Sequence, residues 1–207
     1  MSAAALPSVT RGVALMILAI FLFTAMDATA KGLIERYPAP QVIWVRFAGQ
    51  LTLVLLILRH HLGPVLRTRF PVLHFWRSAS QFGATTFFFL SLPYIGLAEA
   101  TAIADINPVL ITLGAALFLG ERLGPRRIAG VAVALIGALM VIRPGAGVFT
   151  WWALLPLACA LSYATSALLT RKIGAQESVW ASMIYAALFG SIVAGGALPF
   201  VWEPVAT

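Results

Sequence analysis

The chain is poor in charge, poorer still in acid, and nearly without cysteine. Of its 207 residues only 10% are charged, with seven Asp and Glu against 14 Lys and Arg, where a soluble domain carries roughly 25%. So small a polar complement cannot cover a water-soluble fold. With 61% apolar residues and a mean hydropathy of +0.95, the composition is that of a polytopic membrane protein. The single cysteine, Cys159, excludes an intramolecular disulfide and any cysteine-based metal site. The three histidines, His60 and His61 in a basic loop and His74 at a helix entrance, lack zinc-site spacing. No metal and no cofactor are expected. The net charge of +7 lies between apolar segments rather than on one face or in one run, which speaks for membrane orientation and against a nucleic-acid partner.

What the chain has in quantity is apolar helix. Seven segments read as spans: 12–32, 41–58, 71–92, 97–119, 128–142, 150–170 and 179–202. The first imitates a signal peptide, because Arg11 precedes an apolar run ending at Ala28-Thr29-Ala30. Asp27 before the would-be cleavage site, and the further spans behind it, identify it instead as a helix of the mature protein. Prolines punctuate the next boundaries: Pro38 and Pro40 in a turn, Pro71 in a first helical turn and Pro93 beyond a last one. The fifth run has only about 15 apolar residues, so Arg126, Arg127 and Arg143 are expected to snorkel toward the two surfaces. Gly130, Ala134 and Ala138 give it a small-residue face suited to close helix packing.

Loop charge orients the chain. Arg11, Arg59, Arg67, Arg69, Arg122, Arg126, Arg127, Arg171 and Lys172 fall on the N-terminal side, nine in all, against Lys31, Arg36 and Arg143 on the other. By the positive-inside rule the N-terminus is cytoplasmic, in a multi-pass protein of a bacterial inner membrane. A shift of 139 residues pairs Leu18 with Leu157, Ala19 with Ala158, Leu22 with Leu161, Ala25 with Ala164 and Ala28 with Ala167. This fits a five-helix unit restarting upside down at the sixth span.

Polar groups inside these spans are the candidate chemistry, because each is costly in hydrocarbon unless compensated. Asp27 and Arg46 each lie about 9 Å deep on neighbouring antiparallel helices and can pair, either as a structural tie or as part of a solute path. His74, Arg77, Ser78, Gln81 and Thr85 recur at offsets of three and four and share one face; Arg77 lines a cavity or snorkels. In the fourth span Asp105 lies near mid-membrane with Thr101, Pro108 and Thr112 on its face and Asn107 beside it. Pro108 removes a helical hydrogen bond and frees the carbonyl of Ala104. Asp105 is therefore a candidate proton or cation site. Lys31 reads as a snorkelling residue, Glu99 as a carboxylate at a helix start, and Glu121 with Arg122, Arg126 and Arg127 as a loop network.

The stretch PYIGLAEATAI from Pro93, then NPVLITLGAALFLGERLGPRRIAGVAVALIGALMVIRPG from Asn107, with DATAKGL from Asp27 and VIWVRF from Val42, resembles the EamA domain of the drug/metabolite transporter superfamily. The resemblance implies ten helices in two inverted five-helix repeats, cytoplasmic termini, a central cavity and small metabolites such as amino acids, purines, riboflavin or S-adenosylmethionine as cargo. Lys31, Arg46, Glu99, Pro108 and Glu121 match positions of the family pattern, whereas Asp105 stands where an apolar or aromatic residue is more usual. The expected organisation is an all-α membrane protein with one complete repeat over 11–145 and the first two helices of an inverted second repeat over 150–207. On that count three helices are lacking, so the chain reads as a truncated product, incomplete as a transporter.

The expected function is a permease moving a small metabolite by alternating access, coupled to a proton or cation gradient. Its pathway candidates are Asp105, Asp27, Arg46, Arg77, Gln81, Thr85, Thr101, Asn107 and Pro108, and its partners are the solute and the bilayer. An intramembrane enzyme needs a nucleophile with its base, or a metal set, and neither is visible. A non-transporting helical scaffold explains the small-residue packing but not Arg46, Arg77 and Asp105 inside the bilayer.

Overall fold

A helix with a polar face finds its place in a membrane bundle by turning that face from lipid, and the segment after Pro71 does so. The computed structural model describes residues 8–59, 62–66, 68–121, 123–142, 151–174 and 177–202. These form α1 (Ser8–Ile34), α2 (Ala39–Leu58), the short α3 (Leu62–Val65), α4 (Pro71–Ser91), α5 (Leu97–Ala104), α6 (Asn107–Leu119), α7 (Pro125–Ile142), a 3-10 turn (Trp151–Ala153), α8 (Leu154–Ile173) and α9 (Val179–Val201). No strand occurs among the described residues. His60, His61, Arg67, Arg122, the loop 143–150 and the side chain of Ala138 lie outside them.

Five stretches are long and apolar enough to cross a membrane: Thr10–Ile34, Ala39–Leu58, Leu97–Leu119, Trp151–Ile173 and Val179–Val201. The 21 residues of α4 are as long, but its polar stripe lowers their hydropathy. That helix takes a central position, packed on α8 and α9 and touching α1, α2 and α5. Its His74, Arg77, Ser78 and Thr85 are buried, while Val72, Phe75, Trp76 and Leu90 face outward. Around it α2 runs against α9, α5 and α6 lie on α8, and α7 lies on α5 and α6. The main core joins Ile43 and Phe47 of α2, Phe88 and Phe89 of α4, Ala100 and Ala104 of α5, Cys159 of α8 and Ala194 of α9. Helices α2 and α9 approach closely because Gly190 has no side chain: a Cβ there would stand 2.3 Å from the Phe47 ring.

Two sets of contacts mark the two ends of the bundle. At one, Glu177 meets Thr68 and Arg69, the Tyr185 hydroxyl donates to the carbonyl of Leu66 at 2.8 Å, and Glu121 pairs with Arg127 and Arg171 at 3.0 and 3.3 Å. At the other, Lys31 donates to the carbonyl of Leu92, and Tyr94 stacks on Trp152 with ring centroids 3.6 Å apart. Helix α4 therefore runs from one end to the other.

Two expectations need correction. The segment 97–119 is not one helix, since α5 ends at Ala104 and α6 restarts at Asn107. Pro108 sits in the first turn of α6, and the break falls over the turn before it, where its missing N–H was expected to release the carbonyl of Ala104. Lys31 reaches one end of the bundle, the direction expected of a snorkelling side chain, and its ammonium donates there to the carbonyl of Leu92 after α4. The small-residue face of α7 meets no neighbour at its first two positions: Gly130 and Ala134 are exposed, and nothing lies within 4 Å of a Gly130 Cβ. Helix α3, too short and mixed to carry a periodic signal, was not expected. The loop network around Glu121 holds for Arg127, and it gains Arg171 from α8.

Candidate functional site

Helical periodicity sets which side chains meet at the centre. Phe23 and Asp27 are one turn apart on α1, and Gln81, Thr85 and Phe88 recur at four and three on α4, as do Thr101 and Asp105 at four. With Arg46 of α2 and Cys159 and Tyr163 of α8 they line a cavity of about 450 Å³. Six of the expected pathway residues are thereby brought together: Asp27, Arg46, Gln81, Thr85, Thr101 and Asp105.

The charges in this cavity are unequal in support. Arg46 Nη1 lies 3.8 Å from Asp27 Oδ1, an ion pair too long for a hydrogen bond, and its guanidinium carbon stands 5.2 Å from the centroid of Phe89, a cation–π arrangement. Asp105 has no such partner among the described residues, where no Lys or Arg lies within 4 Å of it. It occupies the break after α5 with φ −68° and ψ 0°, its N–H donating to the carbonyl of Thr101 at 2.8 Å. A helix end thus delivers a carboxylate to this cavity. The Thr101 hydroxyl donates to the carbonyl of Leu97 at 2.7 Å and keeps its lone pairs for a ligand.

Arg77 lies apart, in an adjoining cavity of about 240 Å³ lined also by Gln81, Tyr163, Ser166, Ala167 and Thr170. It donates through Nη2 to the carbonyl of Ser182 on α9 at 3.1 Å, and Ser166 donates to Gln81 Oε1 at 3.2 Å. Two expected residues are not part of either cavity: Pro108 is exposed on α6 and Asn107 is half-buried beside it. Asn107, two positions from Asp105, lies about 200° from it around a helix, and Pro108 lies beyond the break between α5 and α6.

Cys159 and Tyr163 were missed, although a signal for them exists. Cys159, Tyr163, Ser166 and Thr170 follow at four, three and four, the same polar periodicity that marks α4. Glu177 was missed as well. Its Oε1 accepts from the N–H of Arg69 at 2.7 Å and from the Thr68 hydroxyl at 2.9 Å, and its Oε2 lies 3.7 Å from His74 Nε2. The Arg69 N–H, helped by the Thr68 hydroxyl and by His74, holds this carboxyl below the ordinary value of 4.5. Among the described residues no group of His, Cys, Asp or Glu is placed to hold a metal ion.

Comparison with known proteins gives this arrangement a family. The chain is 28% identical over 194 residues to the pseudopaline exporter of Pseudomonas aeruginosa, covering 93% of this chain and 66% of that one. To the riboflavin transporter of Rhizobium johnstonii it is 28% identical over 193 residues, covering 89% and 64%. To the S-adenosylmethionine uptake transporter of Rickettsia bellii it is 24% identical over 198 residues, covering 96% and 68%. The chain spans about two thirds of the length of these relatives, all of them transporters and none an enzyme. One chain of known crystal structure shares the fold with a TM-score of 0.66 at 23% identity, over 89% of this chain and 64% of that one. Residues 10–143 match the EamA-like transporter family, and the chain belongs to that family.

Proposed function

We propose that the protein is a secondary transporter that carries a small metabolite through the cavity between α1, α2, α4, α5 and α8 by alternating access. The single observation that carries this reading is the cavity of about 450 Å³ into which five helices project charged and polar side chains. Such groups persist inside a bilayer where they face a solute path and not lipid. A half-helix end at that depth is a familiar device of transporters. On this reading the protein makes seven passes of an inner membrane, with the N-terminus cytoplasmic. Residues 11–145 form one repeat, and residues from 150 onward open an inverted second one.

Asp105 is the proposed proton or cation site. The other titratable or charged groups lining its cavity are Asp27, Arg46, Cys159 and Tyr163, and Arg46 already faces Asp27. Asp105 is thus the carboxylate left to exchange its counter-ion with the cycle, and Asp27 with Arg46 forms the supporting pair. Uptake of radiolabelled amino acids, nucleosides, riboflavin and S-adenosylmethionine into proteoliposomes of the full-length protein, with and without a pH gradient, tests the proposal. Accumulation of one of them that rises with the gradient supports it; no flux of any of them in either condition counts against it.

A further inference from the structure

The cavity beside Arg77 has features that packing alone does not explain. Arg77 is 9% exposed, and of its three guanidinium nitrogens only Nη2 is bonded, to the carbonyl of Ser182. Both Nε and Nη1 are buried with no hydrogen-bond partner. Among the described residues no carboxylate lies within 4 Å of this cation. A buried guanidinium without an anion is unfavourable, and a space of about 240 Å³ opens beside it. That space exceeds the roughly 30 Å³ that one water occupies.

Its other walls suit an anion. Gln81 accepts from Ser166 through Oε1, which leaves its amide NH2 as a donor. Among the described residues no acid lines it. A planar guanidinium flanked by neutral donors is the arrangement that recognises a carboxylate or a phosphate. Gln81 and Tyr163 line this cavity and the main one alike. Along α4, Arg77 precedes Gln81 and Thr85 by one and two turns, about 6 and 12 Å. A molecule in the main cavity can therefore extend an acidic group to Arg77.

We propose that the Arg77 cavity is an oxyanion subsite, and that the solute carries a carboxylate or phosphate which Arg77 and Gln81 hold. The second half rests on the transport reading; the subsite itself does not. The same chemistry would recognise the phosphate of a lipid headgroup, so the test separates the two sources. The protein, purified in detergent, is unfolded thermally with succinate, inorganic phosphate or chloride at equal ionic strength, and again with phosphatidylglycerol or phosphatidylcholine added.

Succinate or phosphate at about ten times its dissociation constant should raise the midpoint by about 4 °C over chloride. Arg77→Gln should lose that rise and Arg77→Lys retain part of it. Because Arg77→Gln also removes the bond to Ser182 and can fail to fold, Ala167→Leu serves beside it, filling the cavity while leaving Arg77 in place. It too should lose the rise. No rise in the unmodified protein, or an equal rise in Ala167→Leu, overturns the subsite. A rise with phosphatidylglycerol alone overturns the solute as its occupant. An intact anion effect in a full-length protein that moves no solute leaves the subsite standing and refutes the transport reading instead.

Discussion

At the scale of single residues, the contrast between Asp27 and Asp105 gives opposite mutational outcomes. Asp105 has no fixed cation among the described residues, and Asp105→Asn keeps the shape and most hydrogen bonds of a protonated acid. The expected result is a folded protein whose uptake no longer changes with pH; an unchanged pH profile would make Asp105 a packing or solute-contact residue. Asp27 faces Arg46, and their side chains are 28% and 23% exposed, between the surface and buried regimes of ion pairing. Asp27→Asn should therefore destabilise by about 2 kcal/mol, mostly through the stranded guanidinium. Adding Arg46→Gln should recover part of that loss in the thermal midpoint. A double variant as unstable as the sum of its parts would show that the two residues do not interact.

At the scale of elements, close approach and connector chemistry decide the packing. Gly190→Ala places a Cβ against the Phe47 ring, and pushing α9 from α2 should lower stability by about 1–3 kcal/mol. The same change in a Phe47→Leu background should be milder, which thermal unfolding of both pairs would check. Glu177 ties the connector between α8 and α9 to the one that enters α4. Its carboxyl titrates below 4.5 in the folded state, so the folded form favours its charge. The stabilisation it provides is complete above that ordinary value and fades as pH falls through the lower folded value. Glu177→Gln should thus be less stable than the parent at pH 7, with the difference shrinking as pH falls below 4.5 and vanishing in acid once the folded-state carboxyl is protonated. A difference that persists there would assign Glu177 a role independent of its charge.

At the scale of the whole molecule, the nine-to-three distribution of Lys and Arg and the two sets of end contacts argue for the same topology. Thr68, Arg69, Glu121, Arg127, Arg171 and Glu177 gather at one end, and Lys31, Leu92, Tyr94 and Trp152 at the other. A reporter active only in the cytoplasm should work when fused after Arg69 or Arg127 and fail after Tyr37 or Gly145. The reverse pattern would overturn the orientation, and activity at all four sites would overturn the number of passes.

Apolar runs and proline placement determined where most of the long helices lie, though not α3 or the split between α5 and α6, because both act within a few residues of chain. The expected 71–92 and 179–202 became Pro71–Ser91 and Val179–Val201. The same local rules marked the polar face of α4 and the pairing of Asp27 with Arg46, since depth in a membrane follows from counting residues along each helix. What only the tertiary structure decided is which of those faces share a space. Thr101 and Asp105 reach the central cavity while Asn107 and Pro108 do not: Pro108 marks the break, but which residues beyond it meet the cavity follows from how α6 packs on α7 and α8. Cys159 and Tyr163 join the site, and Arg77 acquires its own cavity, because α8 packs against α4 and α5. That contact joins residues some 80 positions apart, as in the bond between Ser166 and Gln81, and no spacing within either helix encodes it.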